Sequence, residues 1–222
     1  MQYALIDNKK TEATPKQVGV CECCGMPVHS RCGDYVVWHW SHYKNKDHKE
    51  CDKWYDRKTE WHIKWQNYFP KENQEVVCVD HLTDEKHFAD IKTNDGVVIE
   101  LQNSPMSNEN IRIRENFYDK MLWIVNGNNL GLGKISFRRN LDDIYLHKNY
   151  LRLYLFRTLT AFHKWSMAKK EVYFDFNDDK LYLLKKYENK TAFFEPILKG
   201  ELIELNGGYL PTGSLFDILY TP

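Results

Sequence analysis

A group of acidic and amide residues in the middle of the chain has the spacing of a divalent-metal site. Asp90 precedes the turn Asn94–Gly96, and Glu100 and Gln102 follow that turn on the next predicted strand. Alternate residues of a strand share one face, so Glu100 and Gln102 project together, and a hairpin here brings Asp90 across from Glu100. Hard cations such as Mg²⁺ or Mn²⁺ bind carboxylate oxygens and activate water for phosphodiester hydrolysis. Glu60, on the preceding predicted helix, is expected to supply a further carboxylate to the same metal.

The alternative interpretation of these carboxylates is structural. Solvated faces of an antiparallel hairpin are the commoner environment of Asp and Glu on strands. The same two interpretations apply to Arg114 and Tyr118, which lie one helical turn apart on the next predicted helix. As functional residues they face the site and bind substrate, with the Arg114 guanidinium stabilising phosphate charge. As structural residues they pack against the core.

Cysteine and histidine residues near the amino terminus have the spacing of a structural zinc site. Cys21 and Cys24 form a Cys-x-x-Cys motif followed by Gly, and His42 and Cys51 follow downstream. A closed zinc site needs four nitrogen or sulfur ligands, which these four residues supply. His39 lies in the same His-x-x-His motif as His42 and competes with it for the third position. In a reducing compartment such cysteines are better candidates for metal binding than for disulfides.

The candidate carboxylates are positioned by a predicted order of helix, three strands, helix and strand. Apolar spacing predicts the first helix, which Pro70 ends, and β-branched alternation predicts the strands. The predicted elements are a helix over Asp56–Tyr68, strands over Glu75–Asp80, His87–Lys92 and Val97–Gln102, a helix from the N-cap Ser107 to Tyr118, and a strand over Met121–Val125.

The carboxyl-terminal part of the chain carries no clustered titratable motif. Its Tyr150–Lys164 segment predicts an amphipathic helix, and Glu171–Phe176 and Lys180–Leu184 predict a pair of strands. We expect these elements to be extra layers on the core. The predicted segments are a zinc-binding module over residues 1–55, a core over 56–127, and an α+β extension packed on the core over 128–222.

Composition and charge exclude some classes of protein. Hydrophobic residues make up 42% of the chain, so a substantial core is expected and global disorder is not. No apolar run is long enough for a membrane span, and the first residues lack the pattern of a secretory signal, so a cytoplasmic protein is predicted. Basic and acidic residues both number 31, which argues against DNA binding through a global positive field and is compatible with a local basic groove.

Four segments together resemble the competence protein CoiA-like family, which is assigned to the PD-(D/E)xK nuclease superfamily. They are Thr59–His62, Lys86–Lys92, Val98–Ser104 and Arg114–Tyr118. The resemblance covers roughly the first 127 residues. It implies an α/β fold with a restriction-endonuclease-like core. It also implies active-site residues at Glu60, Asp90, Glu100 and Gln102, with Mg²⁺ or Mn²⁺ held by Asp90 and Glu100.

One position departs from the usual pattern of that superfamily. Gln102 stands where a lysine is usual, a variant that the CoiA-like group shares. An amide is neither a cation nor a general base, but its NH₂ group can orient the attacking water or bind phosphate.

Three functions are compatible with these patterns. The leading prediction is a divalent-metal-dependent nuclease that hydrolyses DNA. The second is a non-catalytic DNA-binding or recombination-accessory protein that retains the nuclease fold, with Gln102 marking reduced chemistry. The third, a zinc-stabilised protein-interaction module, explains the cysteines but leaves Asp90 and Glu100 without a role. Metal-dependent cleavage separates the first function from the second.

Overall fold

The computed structural model describes residues 1–43, 51–54, 58–130, 141–142, 151–154, 160–189 and 191–210. Within these ranges the protein is mixed α/β, with more strand than helix. This agrees with the predicted α/β class. Backbone contacts divide the chain into two compact units, Met1–Lys92 and Thr93–Pro222. The division into three segments at residues 55 and 127 stays a prediction. In the described ranges, no helix combines the length and the apolar character that crossing a membrane would need.

The first unit begins with a small antiparallel sheet that composition did not reveal. Its strands, in the spatial order β2-β1-β3-β4-β5, are β1 Tyr3–Ile6, β2 Lys9–Glu12, β3 Val18–Val20, β4 Pro27–Arg31 and β5 His39–His42. Trp40 is fully buried in its core beside Ala4 and Val28. Partly buried Val77 and Phe88 pack against the same cluster. The strands are too short for periodicity alone to predict them.

The rest of the first unit contains one predicted helix and two predicted strands. Helix α1 spans Glu60–Gln66, and strands β6, Gln74–Val79, and β7, Lys86–Lys92, pair antiparallel. The Nδ1 atom of His62 accepts the backbone N–H of Thr59 at 3.2 Å, so His62 caps the helix. The predicted start of this helix at Asp56 lies outside the described residues.

The second unit is a mixed sheet with helices at its connections. Its strands, in the order β10-β11-β14-β13-β12-β9-β8, are β8 Val98–Gln102, β9 Met121–Asn126, β10 Leu141–Asp142, β11 Leu151–Tyr154, β12 Val172–Asp175, β13 Lys180–Glu188 and β14 Thr191–Leu198. Its helices are α2 Asn108–Phe117, α3 Thr160–Trp165 and α4 Lys199–Leu205. Strand β9 runs parallel to both β8 and β12, so β8, α2 and β9 form a parallel crossover unit.

In the second unit the predicted helix cap and strand pair are confirmed, and one predicted helix is wrong. The hydroxyl of Ser107 accepts the Asn110 N–H and caps α2, as its position before the helix predicts. The strand pair β12 and β13 is confirmed. The amphipathic helix over Tyr150–Lys164 is wrong, because residues 151–154 are strand β11, paired with β14, and helix begins at Thr160. The Leu-Arg-Leu-Tyr alternation has the period of a strand, and strand pairing outweighs helix propensity there.

A buried carboxylate joins α2 to the sheet of the second unit. Glu115 accepts the indole N–H of Trp123 at 3.2 Å and the backbone N–H groups of Lys169 and Lys170 at 3.0–3.1 Å. These donors belong to β9 and to the segment that precedes β12. One side chain therefore satisfies donors from two parts of the chain that are far apart in sequence.

Replacing Glu115 with Ala should lower the free energy of unfolding by about 2–4 kcal/mol, because three donors lose a charged acceptor. Urea unfolding followed by circular dichroism measures the change. Asn116→Ala, an exposed position on the same helix, is the matched control and should cost no more than about 0.5 kcal/mol. A Glu115→Ala protein as stable as the control would contradict this role.

Candidate zinc centre and buried carboxylates

Three cysteines and one histidine converge in the first unit. The ligand atoms of Cys21, Cys24, His42 and Cys51 all lie within 4.8 Å of one another. The Cys24 sulfur is 3.2 Å from Nε2 of His42, and the Cys51 sulfur is 3.8 Å from both that nitrogen and the Cys21 sulfur. Tetrahedral ligands at usual zinc distances lie about 3.5–3.8 Å apart, so the cluster is compatible with one zinc ion. The predicted Cys₃His set is brought together.

The local backbone explains why Cys21 and Cys24 meet. The N–H of Gly25 donates to the Cys21 carbonyl at 2.8 Å, and the Cys21 N–H donates to the Met26 carbonyl at 2.9 Å. Gly25 has a φ of +71°, a conformation that favours glycine. This turn joins β3 to β4, and β5, paired with β4, ends at His42. The turn and the strand end together place three ligands at one edge of the sheet.

The choice between His39 and His42 is decided by which ring nitrogen lies beside the cysteine sulfurs. Nδ1 of His39 lies 2.9 Å from the carbonyl oxygen of Val37, and His39 does not belong to the ligand cluster. Cys23 also lies outside the cluster, with its thiol 3.5 Å from the Cys51 carbonyl oxygen. His42 is therefore the histidine whose position suits zinc.

Contacts within the cluster shift the pKa values of its thiols. The hydrogen bond from the Cys51 thiol lowers the pKa of Cys21 to about 5, with further help from the backbone N–H groups of Cys24 and Cys23. The same interaction, together with Cys23 and burial, raises the pKa of Cys51. Zinc binds thiolates, and its binding releases the thiol protons.

The residue after the last zinc ligand connects this cluster to strand β7. The carboxylate of Asp52 accepts the Phe88 N–H at 2.9 Å and the Trp54 N–H at 2.8 Å, and lies 2.8 Å from Nδ1 of His87. Burial alone would raise the pKa of Asp52, but these hydrogen bonds hold it below its usual value. We call these contacts the Asp52 anchor. Sequence patterns did not single out Asp52.

Asp90 is buried at the end of the first unit. The residue is 7% exposed, and its Oδ1 atom accepts the ammonium of Lys58. The side-chain amide of Gln66 donates to the Asp90 carbonyl at 3.0 Å, so helix α1 fixes the backbone of β7 at this residue. Glu60, predicted to face the same metal, lies exposed in the first turn of α1.

Glu100 and Gln102 are buried on strand β8 of the second unit. Glu100 is 4% exposed, and its Oε2 atom lies 3.3 Å from the guanidinium of Arg114 on α2. The amide nitrogen of Gln102 donates to the carbonyl and hydroxyl oxygens of Ser104 at 2.7 and 3.0 Å. Phosphate binding through that nitrogen therefore requires these hydrogen bonds to break. Tyr118, the other predicted substrate contact, is buried at the end of α2.

The interpretation of Asp90 and Glu100 as solvated hairpin faces is wrong. Both carboxylates are withdrawn from water, and each is faced by a basic side chain. Burying a carboxylate is costly unless it is paired and hydrogen-bonded. The sequence identified Arg114 as a candidate but missed Lys58, which lies before α1 and belongs to no motif.

Purified protein should contain one zinc ion per chain, as measured by elemental analysis. His42→Ala should lose this ion, because three ligands leave the tetrahedral site open. His39→Ala should keep it and serves as the matched control. Zinc retained by His42→Ala and lost by His39→Ala would reverse the assignment.

Removing the Asp52 carboxylate should weaken zinc binding without touching a ligand. Asp52→Ala removes the hydrogen bonds between the Cys51 segment and β7. The zinc affinity of the variant should therefore fall about 10–100-fold, as is typical when groups that orient a metal ligand are lost. Competition with a chromophoric chelator measures the affinity. Asp34→Ala, at an exposed position of the same unit, is the control. Equal affinities of the two variants would show that the Asp52 anchor does not support the site.

Comparison with known proteins gives no relative of this chain. No protein-family model matches it, and no curated protein or solved structure matches it either.

Proposed function

We propose that this protein is a divalent-metal-dependent nuclease that hydrolyses DNA phosphodiester bonds, with a PD-(D/E)xK type of core and a structural zinc site. The observation that carries the proposal is the burial of two carboxylates, Asp90 and Glu100, on consecutive strands β7 and β8. Each faces a basic side chain, Lys58 or Arg114. Clusters of buried acids and bases of this kind are concentrated at functional sites.

The order of elements supports the type of core. Helix α1, strands β6, β7 and β8, helix α2 and strand β9 follow one another along the chain as the CoiA-like resemblance implies. The β6–β7 pair is antiparallel, and β8 and β9 are parallel through α2. The turn between β7 and β8 is closed by hydrogen bonds from the Thr93 N–H to the Val97 carbonyl and from the Gly96 N–H to the Thr93 carbonyl.

In this proposal Asp90 and Glu100 hold one Mg²⁺ or Mn²⁺ ion, and Glu60 contributes a further carboxylate. The donor chemistry fits, because Mg²⁺ binds through one or two carboxylates and keeps its other positions for water and phosphate. The bound ion would polarise the phosphate and lower the pKa of a water molecule bound to it. Arg114 holds Glu100 in place and offers its guanidinium to phosphate charge, while Gln102 orders the turn before α2.

A second candidate function is a DNA-binding protein that retains this fold without catalysis. The observation that favours it is Gln102. Its amide stands where the superfamily usually has a lysine, and its nitrogen donates hydrogen bonds to Ser104. Binding of this kind would weaken with salt, because basic side chains release counterions from the phosphate backbone. Cleavage distinguishes the two functions.

Asp90→Asn and Glu100→Gln should each lower the rate of Mg²⁺- or Mn²⁺-dependent DNA cleavage about 100-fold or more. The reason is that a bound metal stabilises the transition state by several kcal/mol, and each substitution removes the charge of one metal ligand. Cleavage of single-stranded, duplex and branched DNA, with and without EDTA, measures the effect. Asp95→Asn, in the exposed turn between the two strands, is the matched control and should cleave as the unaltered protein does.

Circular dichroism serves as the folding control for these variants. Full activity of a folded Asp90→Asn protein would place the catalytic site elsewhere. Salt-sensitive DNA binding by the unaltered protein, with no cleavage in any metal, would favour the non-catalytic function.

A further inference from the structure

One face of the small amino-terminal sheet exposes apolar side chains. Val28 and Trp40 lie in the core of the first unit, and strand pairing puts Gly19 on the same side as Val28. Alternate residues of a strand lie on opposite faces, so the residues that alternate with these three form what we call the outer face. They are Val18 and Val20 of β3, Pro27, His29 and Arg31 of β4, and His39 and Ser41 of β5. Both valines are exposed.

Aromatic side chains border this outer face. Tyr43 directly follows β5, and its ring centroid lies 4.6 Å from that of His29, with the two planes inclined by 39°. His29 pairs in register with Val18, so the apolar surface continues from Tyr43 to β3. Tyr43 and Trp38, which directly precedes β5, are each 49% exposed. Exposed apolar and aromatic side chains gathered in one place mark a surface that a partner covers.

The outer face carries basic groups and no carboxylate. Strands β3, β4 and β5 contain no Asp or Glu. Arg31 is exposed and pairs in register with His39. Burial lowers the pKa of His29, and the charges of Arg31 and His39 lower it further, so these three basic groups lie close together. Glu22, in the turn between β3 and β4, lies 3.8 Å from the Lys10 ammonium, which offsets its charge.

A single strand of nucleic acid has the chemistry that matches this surface. Its unpaired bases present flat faces to aromatic rings, and its phosphates attract basic side chains. Exposed aromatic rings beside basic groups are the combination that single-strand-binding surfaces use. In a duplex the bases are stacked and paired with one another, so their faces do not reach Tyr43 or Trp38. Because every base has such a face, we expect little sequence preference.

We propose that the outer face binds a single strand of nucleic acid, with bases stacked on Tyr43 and Trp38 and a phosphate bound by Arg31. His42 pairs with Val28 on the core side, so the candidate zinc ligand of β5 and the outer face lie on opposite sides of the sheet. The surface uses none of the carboxylates of the proposed nuclease site. This inference therefore goes beyond the proposed hydrolysis and does not depend on it.

Fluorescence anisotropy of a labelled oligothymidylate measures this binding, without added Mg²⁺ or Mn²⁺ so that cleavage does not compete with it. Tyr43→Ala and Trp38→Ala should each weaken binding about tenfold, because a stacked base loses its aromatic partner. Tyr43→Phe keeps the ring and should bind as the unaltered protein does. Tyr209→Ala, at an exposed tyrosine of the second unit, is the matched surface control. Because Tyr43 follows His42, zinc content and circular dichroism are checked for each variant.

The role of Arg31 is measured by the salt dependence of binding. Each phosphate contact with a single strand contributes about 0.7 to the slope of log affinity against log salt concentration. Arg31→Gln should therefore weaken binding and reduce that slope by about 0.7. Lys9→Gln, at an exposed position of edge strand β2, is the control and should leave the slope unchanged. Any binding of the duplex formed with the complementary strand should be insensitive to Tyr43→Ala, because its bases are not available for stacking.

Three results would overturn the binding surface. They are no binding of the oligothymidylate by the unaltered protein, equal affinity of folded Tyr43→Ala, and an unchanged salt slope in folded Arg31→Gln. Self-association that Tyr43→Ala abolishes, without strand binding, would overturn it in favour of a contact between two copies of this chain. If the variants follow the expected order but the unaltered protein cleaves no DNA in any metal, the binding surface stands and the nuclease proposal fails. If cleavage occurs and the variants bind the strand normally, the nuclease proposal stands and the binding surface fails.

Discussion

Burial of negative charge is the constraint that organises both units of this protein. A carboxylate inside a protein must be paired or hydrogen-bonded, or it becomes protonated. Asp90 meets this requirement through Lys58, and Glu100 meets it through Arg114. The same requirement explains why Glu115 collects three N–H donors in the second unit.

Zinc bound at the Cys₃His cluster would add stability to the small sheet of the first unit. Five strands of three to five residues bury few large apolar side chains, with Trp40 the largest that is fully covered there. A structural zinc ion contributes about 10–16 kcal/mol of binding free energy in small zinc-dependent peptides, and this free energy adds to folding. The candidate ligands come from the turn after β3, from the end of β5 and from a segment beyond them, so an ion bound there would cross-link three parts of the chain.

Local signals in the sequence predicted the elements that local chemistry determines. The Cys-x-x-Cys-Gly turn, the Ser107 cap and the buried run of β9 each depend on neighbouring residues, and each is found where it was predicted. The amino-terminal sheet was missed because its strands are held by pairing and by Trp40 rather than by their own periodicity. Lys58 was missed for a similar reason. It contacts Asp90 only in the folded chain, and no spacing along the sequence encodes that contact.

The Asp52 anchor has a consequence for the local stability of the first unit. Proteins open in cooperative segments, and a segment is as stable as the contacts that must break when it opens. Because Asp52 accepts the Phe88 N–H, opening of β7 at that amide also disturbs the residue that follows zinc ligand Cys51. If zinc binds at Cys51, the rate of hydrogen exchange at the Phe88 amide would report zinc occupancy.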